Sequence, residues 1–385
     1  MKYFIDIDYE SLNKKDEELC GDKVEMAKTE DGIIIVLADG LGSGVKANIL
    51  ATITTKIAVT MLKKGADINE TVDTIVNTLP VCSVRKIAYS TFTILKVYNN
   101  GRIYMAEYDN PEAFILNSGK EIHVDKKEII INGKAIKESN FMLPEESILT
   151  VVSDGVIHAG IENVLNLGWQ RENVCRYLKG KTLKLKSAKH IADDLIEVCK
   201  KLYSGEPGDD TTALVVKLRK METIDLFTGP PANRENDKTA VEKFIGGSGK
   251  KIVCGGTAAN IVARELKKNL TVNIETMSPS IPPTANIEGI DLVTEGVLTL
   301  CKAIDILKNY SDYHLWNINA KDGASILAEM LVEDCTNLNL WVGKAINPAH
   351  QNPNLPFNLS IKLNLVNELV NIMTKMGKEV SINYI

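Results

Sequence analysis

Short apolar runs broken by turn residues set the rhythm of the first 220 residues. Lys23–Thr29 and Ile33–Ala38 read as strands joined at Glu30-Asp31-Gly32. Gly44–Lys64 reads as a long helix stopped by Gly65, and Asn69–Leu79 as a second helix capped by Asn69 and stopped by Pro80. Ser90–Tyr98 and Arg102–Tyr108 flank Asn99-Asn100-Gly101, a hairpin turn. Glu112–Leu116, Glu121–Val124, Glu128–Ile131, Ser147–Ser153 and Thr211–Leu218 predict further strands, and Lys186–Tyr203 an amphipathic helix. Hairpins at this density predict an α+β domain built on an antiparallel sheet. After Leu218 the pattern changes to strand, turn, helix. Lys251–Cys254, Asp291–Thr294, Leu338–Val342 and Glu379–Tyr384 read as strands. Ala258–Lys268, Glu295–Lys308, Gly323–Leu331 and Leu363–Met376 read as helices, with loops at Ser278–Thr284 and Asn347–Pro356. That alternation predicts a smaller α/β domain with a mostly parallel sheet, so the chain divides into residues 1–220 and 221–385.

Composition narrows the setting. A chain of 385 residues exceeds one ordinary domain, and 44% hydrophobic with 25% charged residues is globular composition. The net charge of −5 gives no general attraction to nucleic acid or an anionic membrane. Seven scattered cysteines with no CxxC pair predict reduced, buried thiols. Acids at Asp6 and Asp8 stand where a signal peptide needs an apolar core, and no apolar run nears the ~18 residues of a membrane span. The expectation is a cytoplasmic protein. The five histidines show no metal-ligand spacing.

Acidic residues at strand ends change the picture. Asp22 opens the strand Lys23–Thr29, Asp39 ends Ile33–Ala38, Asp154 ends Ser147–Ser153, and Asp209-Asp210 opens Thr211–Leu218. In an antiparallel sheet the start of one strand lies beside the finish of its neighbour, so all four sites can share one rim. Clustered carboxylates repel unless cations or protons intervene. Oxygen-only ligands suit Mg²⁺ or Mn²⁺ rather than Zn²⁺. Two such ions ~4 Å apart would turn a bridging water into a hydroxide and polarise a phosphate ester.

The ordered set Gly21-Asp22, Asp39-Gly40-Leu41-Gly42-Ser43-Gly44, Ser90-Thr91-Phe92-Thr93, Ser153-Asp154-Gly155-Val156 and Asp209-Asp210-Thr211-Thr212 resembles the metal-dependent type 2C serine/threonine protein phosphatases, and its Asp-Gly-x-Gly-x-Gly form resembles their SpoIIE-like bacterial branch. The resemblance covers residues 1–220 and implies an αββα sandwich with two Mn²⁺ or Mg²⁺ at one edge. It implies that Asp39 bridges both ions and Gly40 lends its carbonyl. It assigns Asp154 and Asp209 to one ion and Asp22 to the other, with Asp209 preferred over Asp210. It implies hydrolysis of phosphoserine or phosphothreonine on a protein by a metal-bridged hydroxide, in bacterial signalling. Departures are the lack of any Arg before Arg85, the turn Tyr108-Asp109-Asn110-Pro111-Glu112, and His158 where an acid is common. Two other readings stay open at this point: a two-metal phosphodiesterase acting on a nucleotide, and a phosphoprotein-binding adaptor without activity.

Residues 221–385 resemble no family recognised here. Gly246-Gly247-Ser248-Gly249-Lys250 fails the P-loop spacing. Gly255-Gly256-Thr257 lies between a predicted strand and helix, where backbone N–H groups hold anions, and Glu295 ends the next predicted strand. In a parallel sheet these loops share the carboxyl edge, the usual ligand crevice. The expectation is a regulatory domain that binds a small anionic ligand through Gly255, Gly256, Thr257 and Glu295, or that self-associates.

Overall fold

The computed structural model describes residues 3–79, 90–161, 163–181, 187–313, 321–345 and 361–385. The expected loop at Asn347–Pro356, together with Pro80, Cys82, Arg85, His314 and His350, lies outside the described residues. The chain forms two compact units, Met1–Lys220 and Met221–Ile385.

The first unit runs β1 (Phe4–Leu12), β2 (Asp22–Lys28), β3 (Gly32–Gly40), α1 (Gly44–Lys63), α2 (Ile68–Thr78), β4 (Ser90–Tyr98), β5 (Arg102–Tyr108), β6 (Phe114–Asn117), β7 (Lys120–Glu121), β8 (Lys127–Ile131), β9 (Lys134–Met142), β10 (Ile148–Val152), α3 (Asp154–Ile157), α4 (Arg171–Lys181), α5 (Ala188–Leu202) and β11 (Thr211–Arg219). Two antiparallel sheets result, ordered β2-β3-β4-β5-β9-β8 and β1-β11-β10-β6-β7. Alternation along β3 sorts its side chains. Ile35 and Leu37 face Leu149, Val151, Leu214 and Val216 of the other sheet. Ile34, Val36 and Ala38 face Leu50, Ala51 and Val59 of α1. Helices α4 and α5 cover the outer face of the second sheet through Val174, Leu178, Ile191 and Leu195. The layers are therefore helix, sheet, sheet, helix, the αββα sandwich that the resemblance implies. By length and composition α1 could cross a membrane; here its inner face is packed on β3, as in the core helix of a globular domain.

The second unit runs β12 (Thr223–Thr228), α6 (Asp237–Gly246), β13 (Lys250–Cys254), α7 (Gly256–Leu266), β14 (Thr271–Asn273), β15 (Thr284–Asn286), β16 (Leu292–Thr294), α8 (Val297–Tyr313), α9 (Gly323–Glu333), β17 (Asn337–Val342), α10 (Ile361–Lys375) and β18 (Glu379–Tyr384). The sheet order is β14-β15-β16-β13-β12-β17-β18. Strands β16, β13, β12, β17 and β18 are parallel, and β14 and β15 add an antiparallel edge. Helices α6 and α7 pack on one face, and α8, α9 and α10 on the other. A buried ion pair sits inside the sheet. Asp225 pairs with Lys251 at 2.6 Å and accepts from Asn339 Nδ2 and Trp341 Nε1, which satisfies a carboxylate that burial would otherwise penalise.

Several elements depart from the sequence reading. Strands β1, β9, β12, β14 and β15 and helices α4 and α6 were not anticipated. The expected strand at Glu121–Val124 shrinks to β7, Lys120–Glu121. Helix α2 is capped by Asp67, whose side chain accepts from the Glu70 amide, and not by Asn69.

Candidate functional site

The acidic residues gather at one rim of the sandwich, but on two sheets rather than one. Asp22 and Asp39 stand directly opposite each other across β2 and β3. Asp154 follows β10, and Asp209 and Asp210 precede β11, in the facing sheet. The single-sheet rim expected from strand order is thus replaced by matching rims of two stacked sheets. Gly40 closes β3, and its amide donates to the Gly21 carbonyl at 3.1 Å. A side chain at Gly40 would meet the Ala47 carbonyl of α1 at 2.1 Å.

Burial dominates this rim, and charge repulsion adds to it. Burial pushes the Asp39 carboxyl up to about 9, helped by the fields of Asp22, Asp154, Asp209 and Asp210. Burial likewise lifts Asp22 to about 7, with Asp210 and Asp154 adding to the rise. The Ser153 and Thr212 hydroxyls sit near enough to oppose the shift of Asp22, yet neither meets hydrogen-bond geometry. Both Asp22 oxygens, and Oδ2 of Asp210, are buried with no hydrogen-bond donor. Asp209 is raised by burial and Asp154, while the Lys14 ammonium opposes the shift. Among the described residues no three Asp, Glu, His or Cys side chains already close around a point as a cage. The donor set nevertheless fits a hard dication: oxygen ligands only, orphaned carboxylate atoms, and mutual repulsion that a cation would relieve. Asp22, Asp39, the Gly40 carbonyl, Asp154 and Asp209 are the groups able to hold it.

Neutral hydrogen bonds fix the frame around these charges. Asn110 Nδ2 donates to Thr93 Oγ1 of β4 at 2.9 Å and to the Val152 carbonyl of β10 at 3.2 Å, so one side chain spans both sheets beside Asp154. The Tyr203 hydroxyl donates to the Gly155 carbonyl at 2.8 Å, and the Thr212 amide donates to Ser153 Oγ at 2.8 Å. Gly155 admits no side chain, because a Cβ there would lie 2.1 Å from the Asp210 carbonyl. Ser90 Oγ donates to the Asp39 carbonyl at 2.9 Å. The sequence reading placed Asp210 in the acidic cluster but ranked it behind Asp209, and it missed Lys14 as the nearby cation. The only sequence signal for Lys14 is its place shortly before Asp22.

In the second unit, Gly255, Gly256, Thr257 and Glu295 do come together. All four line a cavity at the carboxyl edge of the parallel sheet, beside the turn after β12 and the start of α10. His123, His158 and His190 stand at separate places in the first unit and form no metal group among the described residues.

Residues 29–219 match the family model for stage II sporulation protein E (SpoIIE). No curated protein matches the chain. Among solved structures the chain is similar to the PP2C phosphatase domain, with a fragment of the regulatory domain, of the cell fate determinant SpoIIE from Bacillus subtilis. That match has 22% identity and a TM-score of 0.48, covering 57% of this chain and 63% of that chain, less than two thirds of its length. It is also similar to the RsbU and RsbW domains of a Mycobacterium tuberculosis protein, at 13% identity and TM-score 0.47, covering 64% of this chain and 70% of that one. A third is RsbX solved in complex with magnesium, at 18% identity and TM-score 0.41, covering 57% of this chain and 96% of that one. Residues 29–219, most of an αββα sandwich with an acidic rim, are thus similar to stage II sporulation protein E.

Proposed function

We propose that the first unit is a metal-dependent phosphatase that hydrolyses phosphoserine or phosphothreonine on a protein partner in signalling. The observation that carries this reading is the convergence of Asp22, Asp39, Asp154 and Asp209 on one rim, where each of Asp22, Asp39 and Asp209 has its pKa raised by burial and by neighbouring carboxylates. A rim strained in this way binds dications readily, and Mn²⁺ or Mg²⁺ bound there supplies Lewis-acid polarisation of phosphoryl oxygen and an acidified water. Two ions are proposed, as the resemblance implies, and Asp22, Asp39, the Gly40 carbonyl, Asp154 and Asp209 would hold them.

The chain's own groups perform the remaining tasks. Asp22, Asp39 and Asp209 would give up the protons that burial favours, and with the Asp154 carboxylate would neutralise the cations. Asn110 holds the two rims in register, and the Tyr203 hydroxyl anchors the turn that carries Asp154. Lys14, whose field reaches Asp209, offers a positive charge to the incoming phosphate dianion. Nothing in this arrangement requires a cysteine or histidine nucleophile.

Turnover of p-nitrophenyl phosphate and of a phosphoserine peptide, with added Mn²⁺ or Mg²⁺ and after exhaustive chelation, tests the reading. Activity should vanish in chelator, and Asp39→Asn or Asp209→Asn should lower it by about 10²-fold or more with the fold retained. Full turnover in chelator overturns the metal centre. Hydrolysis of a cyclic dinucleotide with none of the peptide replaces the proposed substrate by a nucleotide phosphodiester.

A further inference from the structure

The cavity at the carboxyl edge of the second unit has a volume of about 130 Å³. Its walls come from the turns after β12, β13 and β16 and from the first turn of α10. This edge includes the place where sheet order reverses, since β13 lies on one side of β12 and β17 on the other. Crevices at such a reversal are where open parallel sheets bind ligands.

Three groups around the cavity define what it would hold. Lys362 enters from α10, and its ammonium donates to the Gly343 carbonyl and, at 3.4 Å, to the Ala345 carbonyl. Burial alone lowers its pKa, and among the described residues no carboxylate pairs with it. A half-buried ammonium held only by neutral carbonyls is electrostatically incomplete, and an anion completes it. The first turn of α7 forms a second wall. Its N-cap is Gly255 at φ +119°, a conformation open to glycine, and no side chain caps the helix. A Cβ built on Gly256 meets no atom within 4 Å, so the space over this turn is open. Glu295, at the end of β16, is the third group.

The pairing of these groups selects the ligand. A site for a bare anion would exclude a carboxylate, whereas Glu295 accepts hydrogen bonds from hydroxyls. The ligand therefore carries an anionic end and hydroxyl donors. Cys254, Leu300 and Leu365 add apolar surface suited to the carbon face of a small ring. Helix amides with a lysine suit a phosphate better than a planar carboxylate, because its oxygens accept from several directions. The volume is too small for a dinucleotide.

We propose that this cavity binds a small sugar phosphate, with the phosphate on the α7 turn and Lys362 and a sugar hydroxyl on Glu295. The proposal stands independently of the phosphatase reading of the first unit.

Calorimetric titration of the full chain in chelator, which silences a metal-dependent phosphatase, tests it with ribose 5-phosphate, glucose 6-phosphate, glycerol 3-phosphate, ribose, inorganic phosphate and L-serine. At least one sugar phosphate should bind about tenfold or more tightly than inorganic phosphate, with ribose and serine silent. Gly256→Asp sets a carboxylate where the phosphate would lie, at a helix start that tolerates acids. It should abolish sugar-phosphate binding with an unchanged thermal transition. Lys362→Met should weaken binding about tenfold or more. Glu295→Gln should weaken the sugar phosphate and leave inorganic phosphate unaffected. No binding by any sugar phosphate, equal binding of inorganic phosphate, binding that survives Gly256→Asp in a folded protein, or preference for serine each overturns the proposal. Metal-dependent p-nitrophenyl phosphate turnover of Gly256→Asp reads the first unit separately, so failure of one reading is distinguishable from failure of the other.

Discussion

Asp22→Asn should raise the stability of the metal-free protein while removing its activity. Asp22 is 4% exposed, neither of its oxygens has a donor, and its carboxyl is lifted from 3.8 to about 7. At neutral pH a shift of this size corresponds to about 4 kcal/mol of native-state penalty relative to the unfolded chain. The asparagine amide removes that charge but still buries polar atoms, which costs about 1–3 kcal/mol. The net gain is on the order of 1–3 kcal/mol, or several degrees in Tm for a domain of this length. The sign with pH is fixed by the raised value. The wild-type penalty is absent below the ordinary carboxylate range and grows as pH climbs towards about 7. The advantage of the variant should therefore be largest near pH 8 and small near pH 4. Thermal unfolding in chelator across that range, followed by the same series with Mg²⁺, is the assay. With Mg²⁺ the order should invert, because the wild type alone gains the full binding free energy. A variant less stable than wild type in chelator at pH 8 would refute the reasoning, since it would make Asp22 a structural partner rather than a strained ligand.

Metal loading should release between one and two protons per chain near pH 7, because Asp39 is then still protonated and Asp22 about half so. Calorimetry in two buffers of different ionisation heat reads this directly, and apparent affinity independent of pH between about 6 and 8 would contradict it. Asn110→Ala should cut turnover about tenfold or more, because it frees the two rims that Asn110 joins. The loss should fall on metal affinity, read by titration, with secondary structure by circular dichroism unchanged; unaltered metal affinity would deny Asn110 its positioning role.

What the sequence made legible was local. The hairpin at Asn99-Asn100-Gly101 and its strands, Ser90–Tyr98 and Arg102–Tyr108, are where turn chemistry and β-rich flanks place them. The parallel strands of the second unit announce themselves as apolar runs before glycine turns, as at Lys250–Cys254. Strands carrying charge stayed hidden. In β1 Asp6 and Asp8 interrupt the apolar residues, and every residue is only partly buried, so the segment lacks a strong core signature. In β12 Asp225 makes the run look like linker until Lys251, 26 residues later, is seen to neutralise it. The candidate rim was legible as a list of residues but not as an arrangement. Strand order along the chain cannot say that β3 and β10 belong to different sheets, because that depends on contacts such as Leu37 and Val151 meeting in the interior. Asp210 ranked behind Asp209 as a ligand because the resemblance matches it to a position that need not hold metal, whereas its buried Oδ2 has no donor and its charge adds to the rise of Asp22 and Asp39.

Dividing the rim between two sheets makes the site a reporter of their docking. Neither Asp22 with Asp39 nor Asp154 with Asp209 offers more than half of the charge of these four, so on the proposed metal centre an intermediate holding one sheet would bind dications only weakly. Cation binding then favours the assembled sandwich over every state in which the sheets have parted, including partial openings that leave each ladder intact. Amides along β3 and β10 near the rim should exchange more slowly as Mg²⁺ rises, whereas those at the far ends of the same strands should respond only through global unfolding. The centre would thus act as a clasp on the layer interface, and the chain would be most open to proteolysis between its sheets when free dication is scarce.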